Sequence, residues 1–391
     1  MKLHSRLARL LCVALAALVL CALEGLQRAP VPEAARAQWP QAAPALQVKR
    51  LAPIARGTIP MPEGAAAAHA SFLLAMPATS PAALTAFWFA GERESAPDVQ
   101  IAVAQMDRIT RQWSAARFVV NRHTLGQQLG FGVRRLGNPV AWIDGQSRIH
   151  LLVVATGWGG WAASRIVHLR QTAANDTFAD MRFEPLRALP LSWLWNTSFL
   201  VRNAPLTLAD GGMVLPVYFE LGYKYPAALR FDRNGAFAGM VRISRRHDVL
   251  QPTLLMQTPQ EWLALLRTQR ADGKIGVARS TDGGAHWSDG ADLDMDNPDA
   301  AIAALALAPG QMVLAHNPST HSRSVLDLSR SPDGLHWSRV AALERGTEFD
   351  EYSYPSLAWV DGSLCLSYTM IRKRIAWQCF GLDATALGAK P

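Results

Sequence analysis

Short apolar runs separated by turn residues recur along most of this chain. They fall at residues 83–90, 99–104, 149–155, 213–219, 262–266, 275–278, 312–315, 325–328, 364–369 and 375–380. Runs of this length, bounded by turn signals, predict strands rather than helices. The turns between them include Asp144-Gly145, Asp210-Gly211, Asn234-Gly235, Asp272-Gly273 and Asp361-Gly362, pairs that suit tight hairpins because glycine reaches positive φ at little cost. No long amphipathic helix competes with this pattern. Residues 24–55 are rich in Ala, Pro and Gln without periodicity and predict a linker or covering segment.

One turn occurs twice. Ser280-Thr281-Asp282-Gly283-Gly284-Ala285-His286-Trp287 and Ser331-Pro332-Asp333-Gly334-Leu335-His336-Trp337 lie 51 residues apart. In each, the Asp carboxylate is placed to accept backbone N–H bonds of its own turn, Gly to supply positive φ, and Trp to close the hairpin. The motif therefore predicts a folding device, and its period predicts propeller blades. Asp107 and Trp113 look like a worn copy in the first blade, and no clear copy is visible in the third. About 330 residues divided by about 50–55 per blade predicts an all-β, six-bladed β-propeller over residues 56–391.

The first residues change the compartment. Lys2, Arg6 and Arg9 precede an apolar run from Leu10 to Leu23, so residues 1–23 read as a signal peptide, with an uncleaved N-terminal anchor as the alternative. Ala35-Arg36-Ala37 has the small-x-small form of a cleavage site but lies far beyond that run. Export is expected, to the periplasm or beyond, or with attachment to the inner membrane. Cys12 and Cys21 lack the context of a lipoprotein signal. Cys365 and Cys379 flank a hairpin centred on Arg372, so their thiols face each other, either as a disulfide or as small buried hydrophobes. The net charge of +8, from 39 Lys plus Arg against 31 Asp plus Glu, suits an acidic partner. The charges are scattered, however, and no motif supports nucleic acid.

The spacing Ser-x-Asp-Gly-x-x-Trp resembles the Asp box of the sialidase superfamily. Residues 56–380 as a whole resemble the bacterial sialidase-like (predicted neuraminidase, BNR-repeat) family. The stretches Asn138-Pro139-Val140, Gln251-Pro252-Thr253-Leu254, Asn297-Pro298-Asp299-Ala300 and Glu351-Tyr352-Ser353-Tyr354-Pro355, with Tyr368-Thr369 and Arg372, carry that likeness. The resemblance implies three arginines on a sugar carboxylate, a tyrosine nucleophile activated by a glutamate, and an aspartate as acid/base. Guanidinium forks match a carboxylate bidentately. A tyrosine escapes the repulsion an anionic nucleophile would meet there, but needs a base because its ordinary pKa is about 10.

Carried over by motif, the second and third arginines fall on Arg267 and Arg323, and the nucleophile on Tyr352, with Tyr354 its rival. His69 stands where the first arginine belongs. Gln251 stands where the activating glutamate belongs, sixteen residues before Arg267, and an amide cannot act as a base. Glu94 and Asp98, in the first-blade loop, are the acid/base candidates. The resemblance thus implies an exo-α-sialidase-type glycoside hydrolase on an acidic oligosaccharide or polysaccharide. The two altered positions keep open a lyase acting on a uronic-acid polymer through Tyr352 or through His69, His247 or His316. They also keep open a non-catalytic carbohydrate-binding propeller, with Trp158, Trp161, Trp193 and Trp195 as stacking faces. No Cys-x-x-Cys, His-Glu-x-x-His, phosphate-binding glycine loop or Gly-x-Ser-x-Gly occurs, and no cofactor is expected. Asp289, Asp292, Asp294 and Asp296 alternate as a calcium loop would, but lack its glycine and closing glutamate.

Overall fold

The structure is a computed structural model that describes residues 2–26, 30–39, 51–174, 177–192, 196–271 and 273–382. Trp193, Trp195 and Asp272 lie outside the described residues. Helix α1 (Lys2–Leu26) is followed by an extended segment, residues 30–39, and then by β1 (Leu51–Thr58). Six antiparallel sheets follow in sequence order.

The first blade is β2 (Ala67–Ala75), β3 (Ala82–Gly91), β4 (Gln100–Asp107) and β5 (Arg117–Val120). After the short helix α2 (Arg122–Leu129), the second is β6 (Arg135–Ile143), β7 (Ile149–Thr156), β8 (Ser164–Gln171) and β9 (Phe183–Ala188). The third comprises β10 (Phe199–Val201), β11 (Leu206–Thr207), β12 (Met213–Phe219), β13 (Tyr225–Phe231) and β14 (Phe237–Arg242), with β10 and β11 both on β12. The fourth is β15 (Val249–Met256), β16 (Trp262–Thr268), β17 (Gly276–Ser280) and β18 (Ser288–Asp289). The fifth is β19 (Ala303–Ala308), β20 (Gln311–His316), β21 (Val325–Ser331) and β22 (Ser338–Arg345). The sixth is β23 (Tyr352–Val360), β24 (Ser363–Met370) and β25 (Arg374–Leu382), completed by β1 on its outer edge.

That last pairing closes the ring, because strands from the two ends of the propeller share one sheet and leave no seam. It also draws residues 51–55, assigned from sequence to the covering segment, into the propeller. Middle strands are apolar on both faces, since each blade is packed on both sides: β3, β7 and β16 are buried throughout. The core is accordingly a chain of inter-blade clusters running round the ring, including one that joins the first blade to the sixth through Trp88, Ala104 and Trp377.

Both copies of the repeated turn join third to fourth strands. The Asp282 Oδ1 accepts the His286 N–H at 2.9 Å, and Trp287 Nε1 donates to the Gly284 carbonyl at 3.1 Å. The Asp333 Oδ1 accepts the Leu335 and His336 N–H groups at 2.9 and 2.8 Å, and Trp337 Nε1 donates to Gly334 at 3.0 Å. Gly284 is at φ +84°, and a Cβ there would lie 2.4 Å from the Trp262 ring. The worn first-blade copy behaves alike, Asp107 accepting from Ile109 and Thr110. The third blade also has a copy, which the sequence reading missed. Asp232 accepts the Asn234 and Ala236 N–H groups, each at 2.8 Å, and Phe237 takes the tryptophan's place. Cys365 and Cys379 sit directly opposite each other on β24 and β25 and form a disulfide.

Candidate functional site

The innermost strands β2, β6, β10, β15, β19 and β23 face one another around the central channel. At the end of the channel opposite the Asp turns, each carries one non-glycine residue at positive φ, at or just before its start. These are Ala70 (52°), Asn138 (36°), Ser198 (70°), Gln251 (48°), Asp299 (50°) and Tyr354 (54°). In β2, β6, β15 and β23 the residue lies inside a bulge that shifts the ladder. Pro139, Pro252 and Pro355 follow three of them, tolerated because a bulge asks no ladder N–H of them. A left-handed non-glycine residue costs on the order of 1 kcal/mol, and such outliers gather at functional sites. These positions gather one positive-φ residue from each blade at the channel mouth, four of them through bulges.

Three arginines reach the same mouth from successive blades. Arg267, at the end of β16, is almost fully buried; its Nε donates to Asp299 Oδ1 at 2.7 Å and its Nη1 to Gln251 Oε1 at 2.9 Å. Arg323, before β21, donates to Glu351 Oε1 at 3.3 Å and to the Asp299 carbonyl. Arg372, in the β24–β25 turn, grips Glu351 with Nε and Nη2 at 2.7 and 3.3 Å and pairs with Glu94. Glu351 also accepts the Ser353 hydroxyl at 2.7 Å. Burial alone would push the Glu351 carboxyl up; the bonds from Arg372 and Ser353 and the charges of Arg372 and Arg323 outweigh it and hold the group at about 2. The clamp is therefore pre-assembled around an internal carboxylate.

Tyr354 occupies the middle of this cationic ring. Its ring lies 4.3 Å from that of His69, and the Arg202 guanidinium carbon lies 5.1 Å from its centre. Arg202 follows β10 across the channel and is fully buried. One Nη donates to the Pro355 carbonyl at 2.7 Å, while its Nε has no partner. No carboxylate pairs with it among the described residues, and burial lowers its pKa to about 10 against the opposing pull of Tyr354 and Tyr218. Arg267 is held strongly protonated despite burial, through Tyr354 and Asp299. His69 is buried and neutral, driven to about 3 by desolvation and the charge of Arg372. Gln251 joins Arg267 to the Tyr218 hydroxyl, donating to it at 3.1 Å. Burial and the neighbouring Glu220 raise the pKa of Tyr218 well above its ordinary value, and burial raises that of Glu220 too.

The structure thus brings together Arg267, Arg323, His69, Gln251 and Glu94. His69 lies within the first strand of the propeller. Tyr352 sits apart: its ring faces Tyr368 at 6.4 Å, and it lies beside Gly346. The two tyrosines differ because only Tyr354 occupies the bulge. Asp98 is tied to its own loop, accepting the Glu92 N–H at 2.6 Å. His316 is buried against Ser329 inside the fifth blade, and His247 lies against Tyr223 on the third. Trp161 packs over Gly137, whereas Trp158 is 83 % exposed with Arg134 against its face. The four alternating aspartates are not arranged as a calcium loop: Asp292 pairs with Arg246 and Arg270, Asp294 and Asp296 pair with Lys274, and Asp289 accepts the Ser244 hydroxyl. A cavity of about 810 Å³ opens near Met76, Gln105, Ile143 and Phe178, at the opposite end of the first two blades and away from the arginines.

Sequence reasoning missed Arg202 and the bridging role of Glu351. The shared register of Asn138-Pro139, Gln251-Pro252 and Tyr354-Pro355 was the available signal that Tyr354, not Tyr352, faces the channel.

Fold and site together define a six-bladed propeller of the sialidase type. The BNR repeat-like domain family matches residues 82–366, and the chain belongs to that family. Among solved structures it is similar to the Hadza microbial sialidase Hz136, at 15 % identity and a TM-score of 0.66, covering 82 % of this chain and 67 % of that one. It is also similar to the sialidase of Trypanosoma rangeli in complex with sialic acid, at 14 % identity and a TM-score of 0.63, covering 85 % of this chain and 60 % of that one. A Dyadobacter fermentans protein of unknown function, at 11 % identity and a TM-score of 0.64, is covered over its whole length by 86 % of this chain. At these identities the likeness establishes the fold. No curated protein sequence matches the chain.

Proposed function

We propose that this propeller is a glycoside hydrolase acting on an acidic glycan, with Tyr354 as the reacting hydroxyl and Arg267, Arg323 and Arg372 holding the sugar carboxylate. The observation that carries this reading is the gathering of three guanidinium groups from the fourth, fifth and sixth blades on Asp299 and Glu351 at the channel mouth, where Arg267 and Arg372 act electrostatically on Tyr354 and Arg202 lies 5.1 Å from its ring centre. An entering carboxylate competes with Glu351 for Arg323 and Arg372, so binding exchanges one charge-assisted contact for another and favours ligands with a well-placed acid. Glu94, already on Arg372, is the better acid/base candidate, because the Asp98 carboxylate is committed to its own loop. Gln251 is an amide and cannot supply the base of a sialidase, and His69, with its pKa driven to about 3, is only a weak one; Arg202 beneath the ring supplies positive charge that favours a developing tyrosinate.

The test is to incubate the purified protein with sialosides and a panel of uronic-acid polysaccharides, following released reducing ends and ultraviolet absorbance. Free acidic sugar without new absorbance supports hydrolysis. Absorbance from an unsaturated uronate makes the protein a lyase, and saturable binding without product makes it a binding module.

A further inference from the structure

The apolar helix does not hang from the propeller at an arbitrary point. Between Arg6 and Glu24 its mean hydropathy is 2.3, and Leu7, Leu10, Leu11, Val13, Leu15 and Leu18 are all more than 60 % exposed. Twenty-five helical residues span about 37 Å, enough for a hydrocarbon core of about 30 Å. Glu24, near its end, accepts a hydrogen bond from Ser192, in the connection between the second and third blades. From Pro30 the chain is a strap built into the fold. The Pro30 carbonyl accepts from Met240 on β14. Ala35 donates to Gly283, Ala37 to Pro259 and Gln38 to Thr207, while the Arg36 carbonyl accepts from Ala209. Ala35 and Ala37 are buried at 8 % and 4 % exposure, and a Cβ on Gly283 would fall 1.9 Å from the Ala35 carbonyl oxygen. The fourth-blade Asp turn is thus shaped around this strap, and cutting at Ala37 would discard it.

Exposed large hydrophobic side chains gather on the second and third blades, which the Ser192 segment connects. Trp158 at 83 %, Leu186 at 40 %, Leu221 at 39 % and Tyr223 at 57 % are half of the eight such residues described in the propeller, and all four lie on the second and third blades. Trp158 and the Leu221–Tyr223 pair occupy equivalent loops of these neighbouring blades at the channel-mouth end. Arg134 lies against Trp158, and Arg242 lies 5.8 Å from the Tyr223 ring centre. Aromatic rings flanked by guanidinium groups are what a membrane–water interface selects.

We infer that α1 is retained as a membrane anchor and that the rim of the second and third blades rests on a lipid bilayer, fixed there by the strap. The channel mouth then opens beside the membrane surface, where it meets surface-attached glycans. This inference does not depend on the chemistry proposed for the channel.

The test uses the full chain recovered from its native membranes. Intact mass is expected to include residues 1–26, and the protein to resist alkaline extraction. For orientation, single cysteines replace Trp158, Leu221, Ile109 or Phe349 in a chain with Cys12→Ser and Cys21→Ser, and each is labelled with a fluorescent maleimide. In vesicles of phosphatidylcholine and phosphatidylglycerol carrying nitroxide headgroups, quenching at 158 and 221 is expected to exceed that at 109 and 349 severalfold. A mature protein lacking residues 1–26, extraction by alkali, or equal quenching at all four positions would overturn the inference.

Discussion

Glu351 is the carboxylate on which the arginine network turns, and Glu351→Gln removes its charge while keeping its shape and an acceptor oxygen. The gap between its pKa of about 2 and the ordinary 4.5 corresponds to at most about 3.4 kcal/mol. Solvent reaches the pair, with side-chain exposures of 22 % for Glu351 and 47 % for Arg372, so screening reduces this to about 1–2 kcal/mol. In a propeller of this size that is a fall in Tm of about 2–3 °C. The sign follows from a depressed folded-state pKa: the contribution is complete above pH 4.5 and lost as pH falls from there toward about 2. Denaturant midpoints of wild type and variant should therefore differ by a constant amount between pH 7 and 5.5 and converge below 4.5. The same variant should bind sulfate or an acidic sugar more tightly, because Arg323 and Arg372 lose their resident counter-ion. Equal stability at pH 7, or a difference that persists undiminished at pH 3, would refute the reasoning.

Other outcomes follow from named contacts. Arg202→Met should leave Tm within a few degrees or raise it, because a buried cation without a carboxylate partner is removed, yet lower turnover at least tenfold with little change in KM; unchanged turnover would separate Arg202 from Tyr354. Asp333→Ala removes two backbone bonds and the Ser331 hydroxyl bond and should cost about 1–3 kcal/mol in denaturant unfolding, with no effect on glycan affinity. Replacing both Cys365 and Cys379 by Ala opens a loop of 14-residue separation and should lose about 3 kcal/mol of stability; a reductant titration of the wild type should reproduce that loss.

The ten apolar runs all fall on second or third strands of blades, which are largely buried on both faces and read as continuous hydrophobic stretches. The inner strands escape such a reading because bulges and prolines interrupt them, as at Gln251-Pro252 and Tyr354-Pro355. The outer strands escape it because one face meets solvent, as in β9 and β22. The third-blade Asp turn was hidden because Phe237 replaces its tryptophan. For the site, Arg267 and Arg323 were reached through the resemblance of the chain around the two Asp turns to the sialidase-like family. Arg202 was not, because its importance lies in burial and in a missing partner, neither of which sequence spacing encodes. The choice between Tyr352 and Tyr354 depended on a bulge that reverses which side of β23 faces the channel.

The most direct test of the account is a covalent trap. The protein is incubated with 2,3-difluorosialic acid, or with the corresponding fluorinated form of whichever acidic sugar it releases, and then digested for peptide mapping by mass spectrometry. The account predicts an adduct on Tyr354, lost in Tyr354→Phe and kept in Tyr352→Phe. An adduct on Tyr352, or release of the same sugar at an undiminished rate by Tyr354→Phe, would contradict it.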